Sequence, residues 1–331
     1  MRRALRGLAL TLAGLLALGG AAWACGALFY DFPVLLGAVA GGFALAVLAA
    51  VVFIRGVGRK LGAVFASCAL VLAWWLTLQP SNDRPWQPDV AQTAWAEIAG
   101  DTVTLHNVRN CDYRTATAYT ARWETRTVRL SQLTGIDLAI NYWGSPWMAH
   151  PIASFQFADA PPVCFSIETR KETGESYSAI GGLYRQYELI YVCAEERDVL
   201  RVRTNYRHGE DVFLYRTTAT PGQARARFRE YLAAMNTLRD HPRWYNAVTT
   251  NCTTAIRTQH DPARRAPWDW RILLNGQGDE MLFERGQLVD GGLTFSELKA
   301  RSLINERARS ALDAPDFSNR IRARQHGLLE K

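Results

Sequence analysis

Three long runs without a charged side chain fill most of the first eighty residues, and they restrict the possible folds more than any other feature. The runs cover about residues 8–29, 34–54 and 61–78. A helix of roughly 20 apolar residues spans the hydrocarbon core of a bilayer. We therefore predict that residues 1–80 form a transmembrane region with three helices.

Basic residues fall on one side of the membrane if the chain crosses it three times. They are Arg2, Arg3 and Arg6 before the first run, and Arg55, Arg59 and Lys60 between the second run and the third. Because basic loop residues collect in the cytoplasm, we predict a cytoplasmic N-terminus and place everything after Gln79 outside. We expect a multi-pass protein of the bacterial inner (cytoplasmic) membrane with a periplasmic C-terminal domain.

A cleavable signal peptide, or a lipoprotein signal that ends at Cys25, is the alternative interpretation of the first run. The residues before Cys25 are Ala22-Trp23-Ala24, so the leucine usual three residues before a lipidated cysteine is missing. Two further apolar runs follow closely, which favours an uncleaved anchor.

The composition of the remaining chain argues against some partners and metal sites. The net charge of +7 comes mostly from scattered arginines without a block of five or more, so we expect no nucleic-acid partner. The six cysteines form no CxxC pair, which argues against a zinc site. Cys111, Cys164 and Cys193 could include a disulfide in an exported domain, but their spacing does not select a pair.

Residues 81–94 are predicted to be a linker, and the alternation of polar and apolar residues after them predicts a sheet. Short β-prone runs separated by turn residues extend from residue 95 to residue 216, and residues 221–238 show helical spacing. We assign residues 95–262 to one α+β catalytic domain and residues 263–331 to a helical C-terminal extension.

Two of the predicted strands bring polar side chains close to a histidine. His150 stands at the entrance of the strand 152–157, and residues 163–170 are its expected hairpin partner. Side chains alternate along a strand, so Ser166 and Glu168 share one face. In such a hairpin, either residue could orient the His150 imidazole.

Asn251 and Cys252 open a short run with helical character, and this is where we expect the chemistry. A thiol at a helix N-terminus lies near unpaired N–H groups and the positive end of the helix dipole, which favours the thiolate nucleophile. His150 is the preferred base, and His241 and His260 are its rivals because they lie close to Cys252 in the sequence. A buried, inert cysteine is the alternative.

Several segments of the chain resemble the Lnb N-terminal periplasmic domain family. They are Asn107-Val108-Arg109-Asn110, Tyr142-Trp143-Gly144-Ser145, the His150 strand, Ser166-Ile167-Glu168-Thr169-Arg170, and Trp244-Tyr245-Asn246 to Asn251-Cys252-Thr253-Thr254, within residues 85–260. The order, with the histidine before the cysteine, is similar to permuted papain-like thiol enzymes of the NlpC and lecithin–retinol acyltransferase types. The resemblance implies an α+β core, with a permuted papain-like antiparallel sheet packed with helices, and a thiol acyl-enzyme. With the three apolar runs, the predicted fold is a membrane-anchored α+β protein. Lnb itself is described as moving an acyl chain within bacterial lipoproteins. Cys111 departs from the family pattern, which has a phenylalanine at that position.

Together these features predict an extracytoplasmic thiol acyltransferase or hydrolase. Cys252 would attack an ester or amide carbonyl of a lipid or lipoprotein, with His150 as base and then acid, and Glu168 or Ser166 would fix the ring. Candidates for substrate or oxyanion contacts are Asn251, Thr253, Trp143, Ser145 and Tyr245. The chemistry needs no metal and no cofactor, and inner-membrane lipids are the expected partners. A cell-wall peptide amidase or peptidase with the same dyad, and a non-catalytic membrane-anchored binding domain, are the alternatives.

Overall fold

The contacts of the chain divide it into two compact units. The computed structural model describes residues 1–32, 37–260, 265, 267–272 and 275–323. The helical unit comprises the described residues of 1–81 together with 177–187, and the sheet unit comprises 82–176 and the described residues from 188 onward. The segment 177–187 therefore connects two stretches of the sheet unit but packs within the helical unit.

The helical unit is built from the three apolar runs. α1 spans Arg2–Asp31, α2 spans Ala38–Phe53 and α3 spans Val57–Thr77. α1 and α3 are long and apolar enough to cross a membrane, whereas α2 is a shorter apolar helix. The structure thus gives two candidate spans where we predicted three. The sixteen residues of α2 rise only about 24 Å as a helix, and residues 34–36 of the predicted second span lie outside the described residues.

The C-terminal ends of α1 and α3 lie side by side. The rings of Trp23 and Trp75 meet edge to face with their centroids 5.4 Å apart, and the rings of Phe32 and Trp74 stack at 5.1 Å. Aromatic side chains are enriched where membrane helices reach the interface with water. The two helices therefore end at the same side of the helical unit.

The sheet unit contains a main sheet and a small separate ribbon. Its strands are β1 (Trp95–Ala99), β2 (Thr102–Arg109), β3 (Asp112–Tyr113), β4 (Tyr119–Thr120), β5 (Trp123–Arg129), β6 (Leu133–Trp143), β7 (Ala149–Phe157), β8 (Val163–Arg170), β9 (Glu188–Ala194) and β10 (Glu210–Arg216). The main sheet has the order β1-β2-β9-β8-β7-β6-β10, with β5 also paired to β2. β3 and β4 form the ribbon.

The main sheet is mixed, which corrects the predicted antiparallel sheet. β2 and β9 pair in parallel, with Arg109 opposite Ala194, whereas the other neighbouring strands of the sheet run antiparallel. Parallel neighbours need a long crossover between them, and almost eighty residues separate these two strands. The alternation of polar and apolar residues within a strand indicates which face of the sheet each side chain takes. It does not indicate whether a strand far away in the sequence pairs with it in parallel or antiparallel.

Helices cover both faces of the main sheet. α5 spans Pro221–Asp240, and its Phe228 ring packs against Phe155 and Phe165 with centroids 5.0 and 5.8 Å apart. Alternate side chains of β7 and β8 point to the opposite face, into an apolar cluster shared with the C-terminal helices. This cluster includes Ile152, Cys164, Ile304 and Phe317.

Short helices complete the sheet unit. They are α4 (Glu196–Val199), α6 (Cys252–Thr258), α7 (Gly278–Glu284), α8 (Phe295–Ser302), α9 (Asn305–Ala311) and α10 (Phe317–Ile321). A π-helical turn over Val202–Tyr206 follows α4. α8 and α9 are separate helices because the backbone is extended at Leu303, and the next N–H, that of Ile304, donates to the Val212 carbonyl of β10 at 2.9 Å.

Candidate active site

The hairpin of β7 and β8 brings His150 together with Ser166 and Glu168. Ile152 lies opposite Ser166 in the antiparallel register, so His150, two residues earlier, faces the position of Glu168, two residues later. His150 Nε2 lies 2.7 Å from Ser166 Oγ and 3.4 Å from Glu168 Oε1. Ser166 Oγ donates to Glu168 Oε1 at 2.6 Å, which leaves Oγ able to accept from the His150 ring.

Arg203 holds the Glu168 carboxylate from a separate element. Its guanidinium donates to Glu168 Oε1 at 2.6 Å and to the Val199 carbonyl at 2.7 Å, and its side chain is only 3% exposed. Burial by itself would raise the pKa of Glu168. Arg203 and His150 outweigh burial and hold that pKa well below its usual range. The carboxylate is therefore charged near neutral pH.

Asn251 fixes the helix start that carries Cys252. Asn251 Oδ1 accepts from the Thr254 N–H at 2.9 Å, and Thr254 Oγ1 accepts from the Asn251 N–H at 2.8 Å, which makes a capping box. Asn251 Nδ2 donates to the Ala247 carbonyl at 2.9 Å. The side chain of Asn251, a predicted oxyanion contact, is thus engaged in positioning the first residue of α6, Cys252.

The His150 ring interacts with Cys252, and both residues are only 8% exposed. Burial lowers the pKa of His150, but Glu168 and the Cys252 side chain have the larger combined effect and raise it to about 9. The ring therefore carries a proton at neutral pH. A positive imidazolium beside the sulfur would stabilise a negatively charged Cys252. The Trp143 ring flanks the imidazole, with centroids 6.5 Å apart.

Asn275 is a residue of this site that the sequence did not indicate. Its Nδ2 donates to Thr253 Oγ1 at 3.0 Å and lies 3.7 Å from Cys252 Sγ. Its Oδ1 accepts from the Ala149 N–H at 2.9 Å, next to His150. One amide group therefore links α6, which begins at Cys252, to the strand that carries His150.

Gly276 lets the chain come close enough for this contact. A Cβ at this position would lie 2.2 Å from the Pro146 carbonyl oxygen and 2.4 Å from the Trp147 carbonyl carbon. The Gly276 N–H donates to the Trp147 carbonyl at 3.1 Å, and its own carbonyl accepts from the Tyr142 hydroxyl at 2.9 Å. Backbone packing against the loop between β6 and β7 thus sets the position of Asn275.

The other predicted contact residues take different places. Thr253 Oγ1 lies 3.8 Å from Cys252 Sγ, directly at the site. Ser145 Oγ accepts from the Trp147 N–H at 3.2 Å and so shapes the loop after β6. Tyr245 is buried in the segment that leads to α6.

The two rival histidines have other surroundings. His260 Nδ1 lies 2.6 Å from Glu230 Oε2, and burial is the main cause that lowers the pKa of His260. His241 caps the C-terminus of α5. Of the three candidates, His150 is therefore the one that the structure brings to Cys252.

Local sequence patterns do not indicate Arg203 or Asn275 as site residues, for different reasons. Arg203 is 35 residues from Glu168 in the chain, and nothing near it marks the pairing. Asn275 precedes a glycine, and Asn-Gly is a turn signal, but it lies beyond the predicted catalytic domain, 95–262. That boundary itself falls among residues that the structure does not describe.

The cysteines outside the site are free thiols. Cys111, Cys164 and Cys193, the candidates for a disulfide, are all buried and unpaired. Within the described ranges, no three His, Cys, Asp or Glu side chains are grouped as a metal-binding cluster would require.

A family comparison covers the whole candidate site. The sequence model of the Lnb N-terminal periplasmic domain matches residues 119–276, just under half of the chain, and this range includes His150, Glu168, Cys252 and Asn275. No curated protein and no solved structure matches the chain. Two N-terminal helices are apolar and long enough to cross a membrane. Residues 119–276 are therefore similar to the Lnb N-terminal periplasmic domain, and the two apolar helices before them suggest a membrane-anchored protein with a periplasmic domain.

Proposed function

We propose that the sheet unit is a thiol acyltransferase or hydrolase with a permuted papain-like core, acting on an ester or amide of a lipid or lipoprotein. The observation that carries this proposal is the continuous row of contacts from Cys252 through His150 to Ser166, Glu168 and Arg203. A nucleophile, an acid–base group and a group that orients it are the parts that acyl transfer requires.

The first half-reaction forms a thioester. The Cys252 sulfur attacks the carbonyl carbon, a C–S bond forms, and the carbonyl oxygen becomes an oxyanion. Because Ser166 and Glu168 hold Nε2 of His150, Nδ1 is the ring nitrogen left for Cys252 and the leaving group. When the tetrahedral intermediate collapses, the C–O or C–N bond breaks and the leaving group takes its proton from His150.

Two kinds of donor are positioned for the oxyanion. The first N–H groups of a helix have no partner within it, and because Asn251 accepts from the Thr254 N–H, those of Cys252 and Thr253 are the ones we assign to the oxyanion. Asn275 Nδ2 lies 3.7 Å from Cys252 Sγ and is the second donor. One well-placed donor of this kind lowers the barrier by about 3 kcal/mol.

The second half-reaction returns the enzyme to its starting state. An amine, a hydroxyl or water attacks the thioester carbon, and His150 accepts the proton of this acceptor as the thiolate of Cys252 departs. The same two steps give transfer with an amine or alcohol acceptor and hydrolysis with water.

Membrane anchoring favours a lipid-borne substrate. A tether raises the effective concentration of a substrate held in the same membrane without adding any contact. We also propose the three-span topology with a cytoplasmic N-terminus. Its support is the proximity of the ends of α1 and α3, because a chain whose two helices end on one side has to return between them, through α2.

Two substitutions test the mechanism in the intact membrane protein. We expect Cys252→Ala and His150→Ala each to abolish acyl transfer or hydrolysis, measured as lipid and lipoprotein mass profiles of cells that carry each variant. Cys193→Ala is the matched control, because this thiol is buried in β9 away from the site. Profiles that stay unchanged in both variants, while a deletion of the gene changes them, would contradict the Cys–His mechanism.

Other outcomes would select the alternative functions. New amine termini in purified peptidoglycan, produced by the wild-type chain and not by Cys252→Ala, would indicate a cell-wall amidase or peptidase. A Cys252 that reacts with a thiol reagent no faster than Cys193 at neutral pH would favour a binding domain without catalysis.

A further inference from the structure

The segment 177–187, which joins β8 to β9, packs tightly on α1. The Tyr184 ring stacks on the Tyr30 ring with centroids 5.4 Å apart and an interplanar angle of 15°. Gly26, one turn earlier in α1, provides the space: a Cβ there would lie 2.4 Å from the Tyr184 ring. The contact therefore depends on a glycine inside an apolar helix.

The same segment completes the end of α3. The Arg185 guanidinium carbon lies 3.8 Å from the centroid of the Trp75 ring, and the group donates to the carbonyls of Trp75 and Leu78 at 2.8 and 3.3 Å. The last carbonyls of a helix have no partner within the helix, and a cation there also complements the helix dipole. Arg185 thus fastens the segment to the side of the helical unit where α1 and α3 end.

Before these two attachments the segment presents apolar side chains outward. Tyr177, Ile180 and Leu183 are 44%, 61% and 39% exposed, and residues 176–184 contain no charged side chain. The backbone N–H groups of residues 181–184 all donate within the segment itself. A turn whose N–H groups at residues 181–184 are bonded within it brings few unpaired donors into a lipid environment.

We propose that Ile180 and Leu183 insert into the bilayer interface, in the leaflet where α1 and α3 end. The segment shares one compact unit with the two candidate spans, so lipid is the surrounding that its position provides. Aromatic rings together with a single arginine are the side chains that favour the boundary between acyl chains and headgroups. The segment is thus a membrane-contacting element in addition to the helices.

A photo-crosslinking experiment tests this contact in the full chain. A benzophenone amino acid replaces Ile180 or Leu183, and the protein is reconstituted in liposomes of phosphatidylethanolamine and phosphatidylglycerol and irradiated. We expect a mass increase of one phospholipid at both positions. Leu16, 68% exposed on α1, serves as the positive control, and Leu312, 68% exposed in the sheet unit, gives the background.

The yields and masses of the adducts distinguish insertion into lipid from the alternatives. Phospholipid adducts at positions 180 and 183 at no less than half the yield of position 16 support the insertion. Adducts at position 16 with none above the Leu312 background at 180 and 183 overturn it. Adducts of twice the protein mass at 180 and 183 also overturn it, because they would show that a second copy of the chain covers this surface. Tyr184→Ala should lower the yield at 180 several-fold by releasing the segment from α1.

Discussion

At the scale of single residues, His150 determines how the candidate site responds to pH. Its pKa is raised to about 9 in the folded chain, above the ordinary value of 6.5. A raised pKa means that the protonated ring stabilises the fold fully below about pH 6.5, and that this contribution is lost as the pH rises through about 9. The same proton is the one that the leaving group needs in the proposed mechanism.

Removal of the Glu168 charge should shift this titration. Because Glu168 is among the groups that raise the pKa of His150, Glu168→Gln should move the alkaline limb of kcat/KM to lower pH and reduce the rate at neutral pH about 10²-fold. Hydrolysis of a p-nitrophenyl acyl ester by the purified full chain, measured from pH 5 to pH 10, reports both effects.

Glu172→Gln is the control for this experiment. Glu172 also carries an ion pair, with Arg84 at 3.0 Å, but it lies outside the site. Its pH profile should coincide with that of the wild type. A Glu168→Gln profile that coincides as well would show that Glu168 does not act through His150.

At the scale of secondary-structure elements, local patterns predict hairpins well and remote pairings poorly. The alternation of residues 163–170 predicts that Ser166 and Glu168 share a face, and a short turn keeps β8 beside β7, so the structure places both near His150. Arg203 could not be found in this way, because its contact with Glu168 depends on a π-helical turn. The parallel pairing of β2 with β9 rests on one residue pair, Arg109 and Ala194, and has no local signal.

The contact between the segment at Gly276 and the loop after β6 gives a test at this scale. Gly276→Ala should force the backbone away from Pro146 and Trp147 and carry Asn275 out of the site. We expect a loss of about 10- to 100-fold in kcat for the p-nitrophenyl ester, the larger value being the loss of one oxyanion donor.

Gly278→Ala is the matched control, since a Cβ there meets no atom within 4 Å. Gly278→Ala makes the same chemical change two residues further along the chain. It should leave kcat within about two-fold of the wild-type value. Equal kcat values for the two variants would mean that the position of Asn275 does not matter for turnover.

At the scale of the whole molecule, each unit is completed by a distant part of the chain. In the sheet unit, the Arg322 guanidinium forms ion pairs with Asp137 and Glu196, which lie 185 and 126 residues earlier and are fully buried. In the helical unit, Arg185 and Tyr184 close the side where α1 and α3 end. Sequence patterns predict neither the contacts of Arg322 nor those of Arg185 and Tyr184, because both sets join segments more than a hundred residues apart.

The proposed topology is also tested at this scale. An alkaline phosphatase fused after Gln79 should be active, and the same reporter fused after Gly56, between α2 and α3, should be inactive, because the enzyme folds only outside the cytoplasm. An inactive fusion after Gln79 would reject the periplasmic placement of the sheet unit. An active fusion after Gly56 would reject α2 as a span.

The contact of Arg185 with Trp75 also sets an order of events during synthesis. The two residues are 110 positions apart, so at roughly 5–20 residues per second the ribosome adds Arg185 roughly 5 to 20 seconds after Trp75. α1 and α3 are therefore synthesised before the segment that packs against their C-terminal ends exists. During this interval the Trp75 ring and the Leu78 carbonyl lack their contacts with Arg185, so the packing at this end of α3 is complete only when the later part of the chain has been made.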